Sequence, residues 1–281
     1  MSKVLAYLII MRPINVLVAA FASLMSAYIL ENYHDNTVKI YTLLVVVFYT
    51  GGANAFNDYC DYEIDLINRP NRPLSRGLLK SNEAFLFSII LFIIGSLLSL
   101  QLPLKATIVS VGISLPLMII YSIKLKGIPL VGNIAVAMII GLSFIFFGLS
   151  HGNIIPMIIP GILACGLTLL RELIKDIADI EGDKKKGLKT LPIVLGGNKS
   201  ITVAYFFVVI IGLGSLMPYY FNIYNSYYLL LLIAGVEIPL FIIVYYFMKL
   251  PLINAAKKSA NLLKFSIIVG LIAIFTDHYV S

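Results

Sequence analysis

Residues 57–77 read NDYCDYEIDLINRPNRPLSRG, a polar stretch between two long apolar runs. It contains four carboxylates and three arginines, in a chain that is 60% hydrophobic and only 12% charged. Soluble domains carry about 25% charged residues, so the composition indicates an integral membrane protein. The concentration of charge in this one stretch therefore needs a separate explanation.

Nine apolar runs are long enough to cross a bilayer, which takes about 20 residues of helix. They cover approximately residues 10–30, 39–56, 83–102, 104–122, 128–149, 154–174, 200–220, 226–248 and 261–280. We expect no cleavable signal peptide, because the first run is long enough to span and has no small-residue cleavage site. The sequence predicts an all-α integral membrane protein with nine transmembrane helices, forming one membrane domain over residues 1–281.

Lysine and arginine are distributed unevenly across this topology. The N-terminus and the connections after the second, fourth, sixth and eighth runs, with adjoining span ends, hold 19 of the 21 basic residues. Because basic residues are enriched in cytoplasmic loops, we expect the N-terminus and these connections to be cytoplasmic in the cell membrane. The basic residues flank spans instead of forming a separate domain, so nucleic-acid binding is not expected. No obligate protein partner is evident.

Two acidic windows share the spacing D-x-x-D-x-x-x-D, and the second lies 118 residues after the first. Their aspartates are Asp58, Asp61 and Asp65 in the first window and Asp176, Asp179 and Asp183 in the second. Each window follows an apolar run and precedes a basic segment, which indicates an internal duplication. We expect two four-helix pseudo-repeats, at about residues 1–122 and 123–248, plus one added helix.

The spacing i, i+3, i+7 predicts that the three aspartates of each window lie along one face of a helix. Like charges on one face repel, so each window needs a counter-cation. Carboxylates without histidine or cysteine favour Mg²⁺, which commonly binds one or two carboxylates together with water and substrate phosphate. Two such faces would hold a diphosphate through Mg²⁺. The open alternative is that each acidic window only solvates a span end.

Basic side chains near both windows fit the same ligand, because guanidinium groups bind phosphate bidentately and lysine adds a point charge. The candidates are Arg69, Arg72, Arg76, Arg171, Lys175 and either Lys124 or Lys126. In the first run, Arg12 and Asn15 are candidates for binding a second substrate, an acceptor molecule that carries a phosphate. The alternative for Arg12 is an ordinary basic residue that reaches from a span end toward the interface.

The motifs together resemble the UbiA superfamily of intramembrane prenyltransferases. They are N-D-x-x-D-x-x-x-D at residues 57–65, N-R-P-x-R-P-L-x-x-G at 68–77 and R-E-x-x-x-D-x-x-D-x-x-G-D at 171–183. The resemblance implies Mg²⁺-dependent transfer of a prenyl group from its diphosphate to an acceptor, with membrane lipids around the site.

Within the superfamily, NRPNRPL with RELIKDIADIEGDKKKGLKTLP is most similar to the archaeal digeranylgeranylglyceryl phosphate synthases. This implies that a geranylgeranyl group moves to the free glycerol hydroxyl of geranylgeranylglyceryl phosphate, forming the second ether bond of archaeal membrane lipids. Two alternatives remain open. One is an aromatic acceptor such as 4-hydroxybenzoate in quinone biosynthesis, and the other is a secondary transporter, which also has duplicated halves.

The resemblance also implies residue roles. The metal-binding set is Asn57, Asp58, Asp61, Asp65, Asp176, Asp179 and Asp183. The residues closest to the chemistry are Asp61, Asp65, Asp179, Asp183 and Tyr121, the tyrosine lying near the reacting carbon. The residues that hold the diphosphate are Arg72, Lys124 and Lys175.

Overall fold

The structure, a computed structural model, describes residues 3–30, 36–185 and 187–280, and all regular secondary structure within these ranges is helical. The helices up to the middle of the chain are α1 (Lys3–Ile10), α2 (Pro13–Ile29), α3 (Asn36–Cys60), α4 (Tyr62–Asn68), α5 (Ser81–Ser99), α6 (Leu104–Thr107), α7 (Leu115–Ile123) and α8 (Val131–Ser150). The others are α9 (Ile155–Ala178), α10 (Ile180–Lys185), α11 (Leu191–Leu195), α12 (Gly197–Tyr220), α13 (Ser226–Leu232), α14 (Ile238–Lys249) and α15 (Leu252–Val280). Two π-helical segments (Ile108–Ser114 and Ile233–Glu237) and a 3₁₀ turn (Leu125–Gly127) join some of them.

Eight helical segments of the described ranges are long and apolar enough to cross a membrane. They are Asn36–Cys60, Ser81–Ser99, Leu104–Ile123, Val131–Ser150, Ile155–Ala178, Gly197–Tyr220, Ser226–Lys249 and Leu252–Val280. Helices α1 and α2 together make a ninth crossing that bends by 53° between them. The predicted all-helical membrane fold is confirmed, but the first crossing is a broken helix and not a continuous one.

The last helix also differs from the prediction. It begins at Leu252 and not near residue 261, because the segment before the apolar run is rich in alanine and lysine. These residues form helix readily, and the polar ones among them lower the hydropathy of the segment. The apolar run therefore covers only the later part of α15.

The chain divides into two compact units, of which the first comprises residues 1–125 and 142–157. In this unit α3 packs closely against α5. A Cβ atom at Gly95 would lie 2.5 Å from Cδ1 of Tyr49, and the Tyr49 hydroxyl shares a 2.9 Å hydrogen bond with Oγ of Ser96. The glycine therefore lets the aromatic ring lie directly on the α5 backbone.

The second unit comprises residues 126–141 and 158–281. A Cβ atom at Gly235 would overlap the side chain of Val269, so the chain packs onto α15 at that point without a side chain. Glu237 is the one carboxylate in the eighth crossing, and the Ser215 hydroxyl lies 2.6 Å from its Oε1. The Tyr228 hydroxyl donates to the Ser215 carbonyl at 2.7 Å, so this carboxylate belongs to a buried polar network.

Three backbone features of the first unit recur 118 residues later in the chain. They are a left-handed residue directly before a long helix (Arg12 and Leu130), the first residue of that helix (Pro13 and Val131) and a break inside the acidic window (Cys60–Tyr62 and Ala178–Ile180). Non-glycine residues rarely adopt positive φ, yet these two have φ of 55° and 61°. Local composition does not explain such a coincidence, because arginine and leucine have no special preference for that conformation.

Each π-helical segment ends beside a proline. Ile108–Ser114 is followed by Pro116, and Ile233–Glu237 is followed by Pro239. Proline lacks an amide proton, and its ring clashes with the carbonyl four residues earlier in an α-helix. In both cases that earlier residue is glycine, Gly112 or Gly235, and the wider turn moves its carbonyl away from the ring.

Candidate active site

The first acidic window lies where α3 meets α4. Asp58 is in the last turn of α3, Asp61 lies between the helices and Asp65 is in α4. The Asp61 amide donates to the Asn57 carbonyl at 2.9 Å, and the Asp65 amide donates to the Asp61 carbonyl at 2.8 Å. The predicted single helix is wrong, because the helix breaks at the middle aspartate. These two α-type hydrogen bonds nevertheless continue across the break.

All three of these aspartates are buried, and arginines form ion pairs with Asp58 and Asp65. The Arg72 guanidinium donates to Asp58 Oδ1 at 2.9 Å and also to Asp65 Oδ2. Arg12 donates to the same Asp58 oxygen at 2.6 Å. The remaining aspartate, Asp61, accepts a 2.7 Å hydrogen bond from the Asn57 amide. We call this set, Arg12, Asn57, Asp58, Asp61, Asp65 and Arg72, the first cluster.

Arg12 reaches Asp58 because of the bend in the first crossing. It occupies the left-handed position between α1 and α2, and the Asn54 side chain donates to the carbonyl of Met11 at 2.9 Å, joining the bend to α3. Neither expectation for Arg12 included this ion pair. Asn15, the other acceptor candidate, lies half-buried one turn further along α2.

Burial raises the pKa of the Asp65 carboxyl above its ordinary value, and the positive charge of Arg72 offsets only part of that effect. The neighbouring carboxylates Asp58 and Asp61 act in the same direction as burial. An added cation beside Asp65 would offset both the effect of burial and the repulsion by the neighbouring carboxylates.

The second acidic window repeats this arrangement in the second unit. Asp176 lies in the last turn of α9, Asp179 lies in the break and Asp183 is buried in α10. The amides of Asp179 and Asp183 donate at 2.9 Å to the carbonyls of Lys175 and Asp179. As in the first window, the aspartates do not lie on one continuous helix.

One asparagine and one glutamate form hydrogen bonds at the second window. The Asn133 side chain donates to Asp176 Oδ2 at 2.8 Å. Glu172 accepts from Arg171 at 2.7 Å and from Lys175 at 2.9 Å. We call this set, Asn133, Arg171, Glu172, Lys175, Asp176, Asp179 and Asp183, the second cluster.

We predicted no role for Glu172 or Asn133 from the sequence. A signal for Glu172 was present: it is a carboxylate inside an apolar helix with bases one residue before it and three residues after it. The signal for Asn133 was weaker, because its partner Asp176 lies 43 residues away in the sequence.

The other predicted residues are placed as follows. Tyr121 is half-buried near the end of α7, one turn before the exposed Lys124. Lys126 lies in the 3₁₀ turn that follows, close enough to Glu172 to act on it electrostatically. The Lys189 amide donates to the Gly127 carbonyl at 3.1 Å, which joins this turn to the loop after the second cluster. Arg69 is exposed at the C-terminal end of α4.

The sequence matches the UbiA prenyltransferase family over residues 16–268, which is most of the chain. The chain belongs to this family. A digeranylgeranylglyceryl phosphate synthase of Methanosphaera stadtmanae is 38% identical over 271 residues, covering 96% of this chain and 97% of the relative.

Solved structures agree with membership of the UbiA family. One concerns digeranylgeranylglyceryl phosphate synthase in membranes; it is 33% identical, with a TM-score of 0.80 and coverage of 100% of both chains. A UbiA homolog from Archaeoglobus fulgidus bound to GPP and Mg²⁺ has a TM-score of 0.73 and covers 96% of this chain and 99% of its own. At 20% identity the latter likeness shows the fold alone. The protein is therefore a multi-pass membrane prenyltransferase of the UbiA fold.

The donor atoms of both clusters fit Mg²⁺ in type. Among the described residues, no group of three or more histidine, cysteine or carboxylate side chains is arranged to enclose a metal ion. Mg²⁺ rarely uses such a cage, since it commonly binds one or two carboxylates and takes its other ligands from water and substrate phosphate. The carboxylate oxygens of Asp61 and Asp176, which accept hydrogen bonds from the side chains of Asn57 and Asn133, are ligands of the type that Mg²⁺ prefers.

Proposed function

We propose that this enzyme transfers a geranylgeranyl group from geranylgeranyl diphosphate to the free glycerol hydroxyl of geranylgeranylglyceryl phosphate. The observation that carries the proposal is the 38% identity, over 96% of the chain, to a relative named digeranylgeranylglyceryl phosphate synthase. The two clusters support it, because each combines buried carboxylates with basic side chains.

In this reaction the bond between C1 of the prenyl chain and the diphosphate oxygen breaks, and the electron pair leaves with the diphosphate. The acceptor hydroxyl oxygen bonds to C1 and loses its proton. Mg²⁺ held by the aspartates would neutralise the charge that develops on the leaving diphosphate. Arg72, Lys175 and the other bases would bind the diphosphate oxygens, and a tyrosine ring such as that of Tyr121 would stabilise the allylic cation.

We assign the roles accordingly. The metal-binding residues are Asn57, Asp58, Asp61, Asp65, Asp176, Asp179 and Asp183. The diphosphate-binding residues are Arg69, Arg72, Arg171, Lys175 and either Lys124 or Lys126. Arg12 and Asn15 would bind the phosphate of the acceptor, with Asp58 holding the Arg12 guanidinium in place.

We also propose that the chain arose by duplication, with repeats at about residues 1–122 and 123–248. The recurrence of left-handed residues and helix breaks at the same 118-residue interval supports this. The distribution of basic residues supports a cytoplasmic N-terminus and site.

The test of the function uses purified protein in detergent with Mg²⁺ and labelled geranylgeranyl diphosphate. Geranylgeranylglyceryl phosphate is the acceptor in one reaction and 4-hydroxybenzoate in the other. We expect a doubly prenylated lipid in the first reaction only. Product with 4-hydroxybenzoate alone would contradict the acceptor assignment, and no product with either would contradict the function.

The same assay tests the clusters. Asp61→Ala and Asp179→Ala should each reduce turnover by about 10²-fold or more, as the loss of one group that stabilises transition-state charge does elsewhere. Size-exclusion profiles should stay unchanged. Glu63→Ala is the matched control, because this exposed carboxylate lies in the first window without belonging to the cluster. Near-normal turnover of either aspartate variant would contradict the assignment.

A further inference from the structure

Glu172 is a buried carboxylate to which the reaction above gives no role. It is 6% exposed within α9, the sixth full-length crossing counted from the N-terminal bent pair. It accepts from Arg171 Nη1 at 2.7 Å and from Lys175 Nζ at 2.9 Å, and the Lys126 ammonium acts on it electrostatically. Two cations therefore pair directly with one buried anion.

Helix geometry alone does not bring these side chains together. Lys175 lies three residues after Glu172 and shares its face of α9. Arg171 is the adjacent residue, and neighbours on a helix point about 100° apart. The Arg171 side chain nevertheless turns toward the Glu172 carboxylate. One turn further along the same face is Asp176, the first aspartate of the second cluster, which interacts electrostatically with both Glu172 and Lys175.

The Arg171 guanidinium still has donor capacity. An arginine side chain carries five N–H donors, and here Nη1 donates to Glu172. Its Nε is buried and has no hydrogen-bond partner among the described residues. A buried donor without a partner is unfavourable, and an anionic ligand with several acceptor oxygens would satisfy it.

We propose that Glu172 is a positioning residue, which holds the Arg171 and Lys175 side chains in the orientation that binds the diphosphate of the prenyl donor. This inference rests on the proposed function and names the anion-binding half of that site. The competing explanation is that Glu172 only neutralises two cations within a membrane helix. The two explanations differ in what happens when the charge of Glu172 is removed.

The test measures inhibition by inorganic pyrophosphate and the KM for each substrate, with the full-length protein in detergent and Mg²⁺. Glu172→Gln keeps the size of the side chain and an acceptor oxygen but removes the charge. We expect the inhibition constant of pyrophosphate and the KM for geranylgeranyl diphosphate each to rise by about tenfold or more. The KM for the acceptor should stay unchanged. Glu181→Gln makes the same chemical change at an exposed position close by in α10 and should alter neither value.

A second comparison does not depend on the stability of that single variant. Arg171→Gln with Lys175→Gln should lose the same pyrophosphate affinity whether or not Glu172→Gln is added, because Glu172 acts through these two side chains. A further loss on adding Glu172→Gln would overturn the proposal. So would a Glu172→Gln protein with a lower melting temperature but unchanged pyrophosphate inhibition. If the wild type neither transfers a prenyl group nor binds pyrophosphate, the proposed function itself fails.

Discussion

Asp58 illustrates what a carboxylate at the end of a membrane helix requires. Its Oδ1 accepts from both Arg12 and Arg72, and Arg72 also contacts Asp65. The aspartate spacing correctly predicts that counter-cations are needed, but repulsion among carboxylates does not distinguish a metal ion from a guanidinium. Arg12 lies 46 residues before Asp58, and such a pairing depends on tertiary packing that spacing does not encode.

Arg72→Met tests the arginine bridge. It removes the cation that Asp58 and Asp65 share, leaving two buried carboxylates short of a partner, so we expect the free energy of unfolding to fall by about 1–3 kcal/mol. The measurement is thermal unfolding in detergent. Arg76→Met, an exposed arginine of the same loop, is the control and should unfold like the wild type. Equal melting temperatures for both variants would show that the bridge contributes nothing to stability.

The helices show regularities that hydropathy does not reveal. Both acidic windows break at their middle aspartate, although neither Cys60–Tyr62 nor Ala178–Ile180 contains glycine or proline. The ordinary signals for ending a helix are therefore missing at both breaks. The π-helical segments are not predictable from the glycine four residues before each proline alone, because Gly214 and Pro218 have the same spacing within the continuous helix α12.

Gly235→Ala tests the packing of the second π-helical segment. The added methyl group would overlap Val269, and overpacking of this kind costs about 1–3 kcal/mol. We expect a lower melting temperature, partly restored by adding Val269→Ala. Gly214→Ala is the matched control, since its Cβ would meet no atom within 4 Å and alanine favours helix. A Gly235→Ala protein as stable as Gly214→Ala would mean that α15 is not packed as described.

Across the whole chain, the count of crossings and the membrane class follow from sequence because each crossing needs its own apolar run of about 20 residues. The bend between α1 and α2 does not follow, since Arg12 and Pro13 interrupt hydropathy too briefly to separate two helices. The sequence names the aspartates and the basic residues of the clusters, but it does not predict which of them pair. Asn133 and Glu172 are recognised as members of the second cluster only from the folded structure.

Sidedness is testable at two loops. In a background with Cys60→Ser and Cys165→Ser, the exposed positions Lys189→Cys and Gln101→Cys should react with an impermeant maleimide from opposite sides. The asymmetry of basic residues predicts that Lys189 is cytoplasmic, so Lys189→Cys should be labelled only in inside-out vesicles and Gln101→Cys only in right-side-out cells. Labelling of both from the same side would invalidate the topology.

The ion pairs on Asp58, Asp65 and Glu172 each join residues of a single unit. During synthesis the first half leaves the ribosome before the second half exists. An unpaired charge in the first half would raise the free energy of its insertion into lipid. Arg12 emerges ahead of Asp58, and Arg72 follows within fourteen residues. The first half thus carries its own neutralising groups into the bilayer. Each half can therefore be inserted into the membrane in the order of translation, because its buried carboxylates pair with basic residues of the same half.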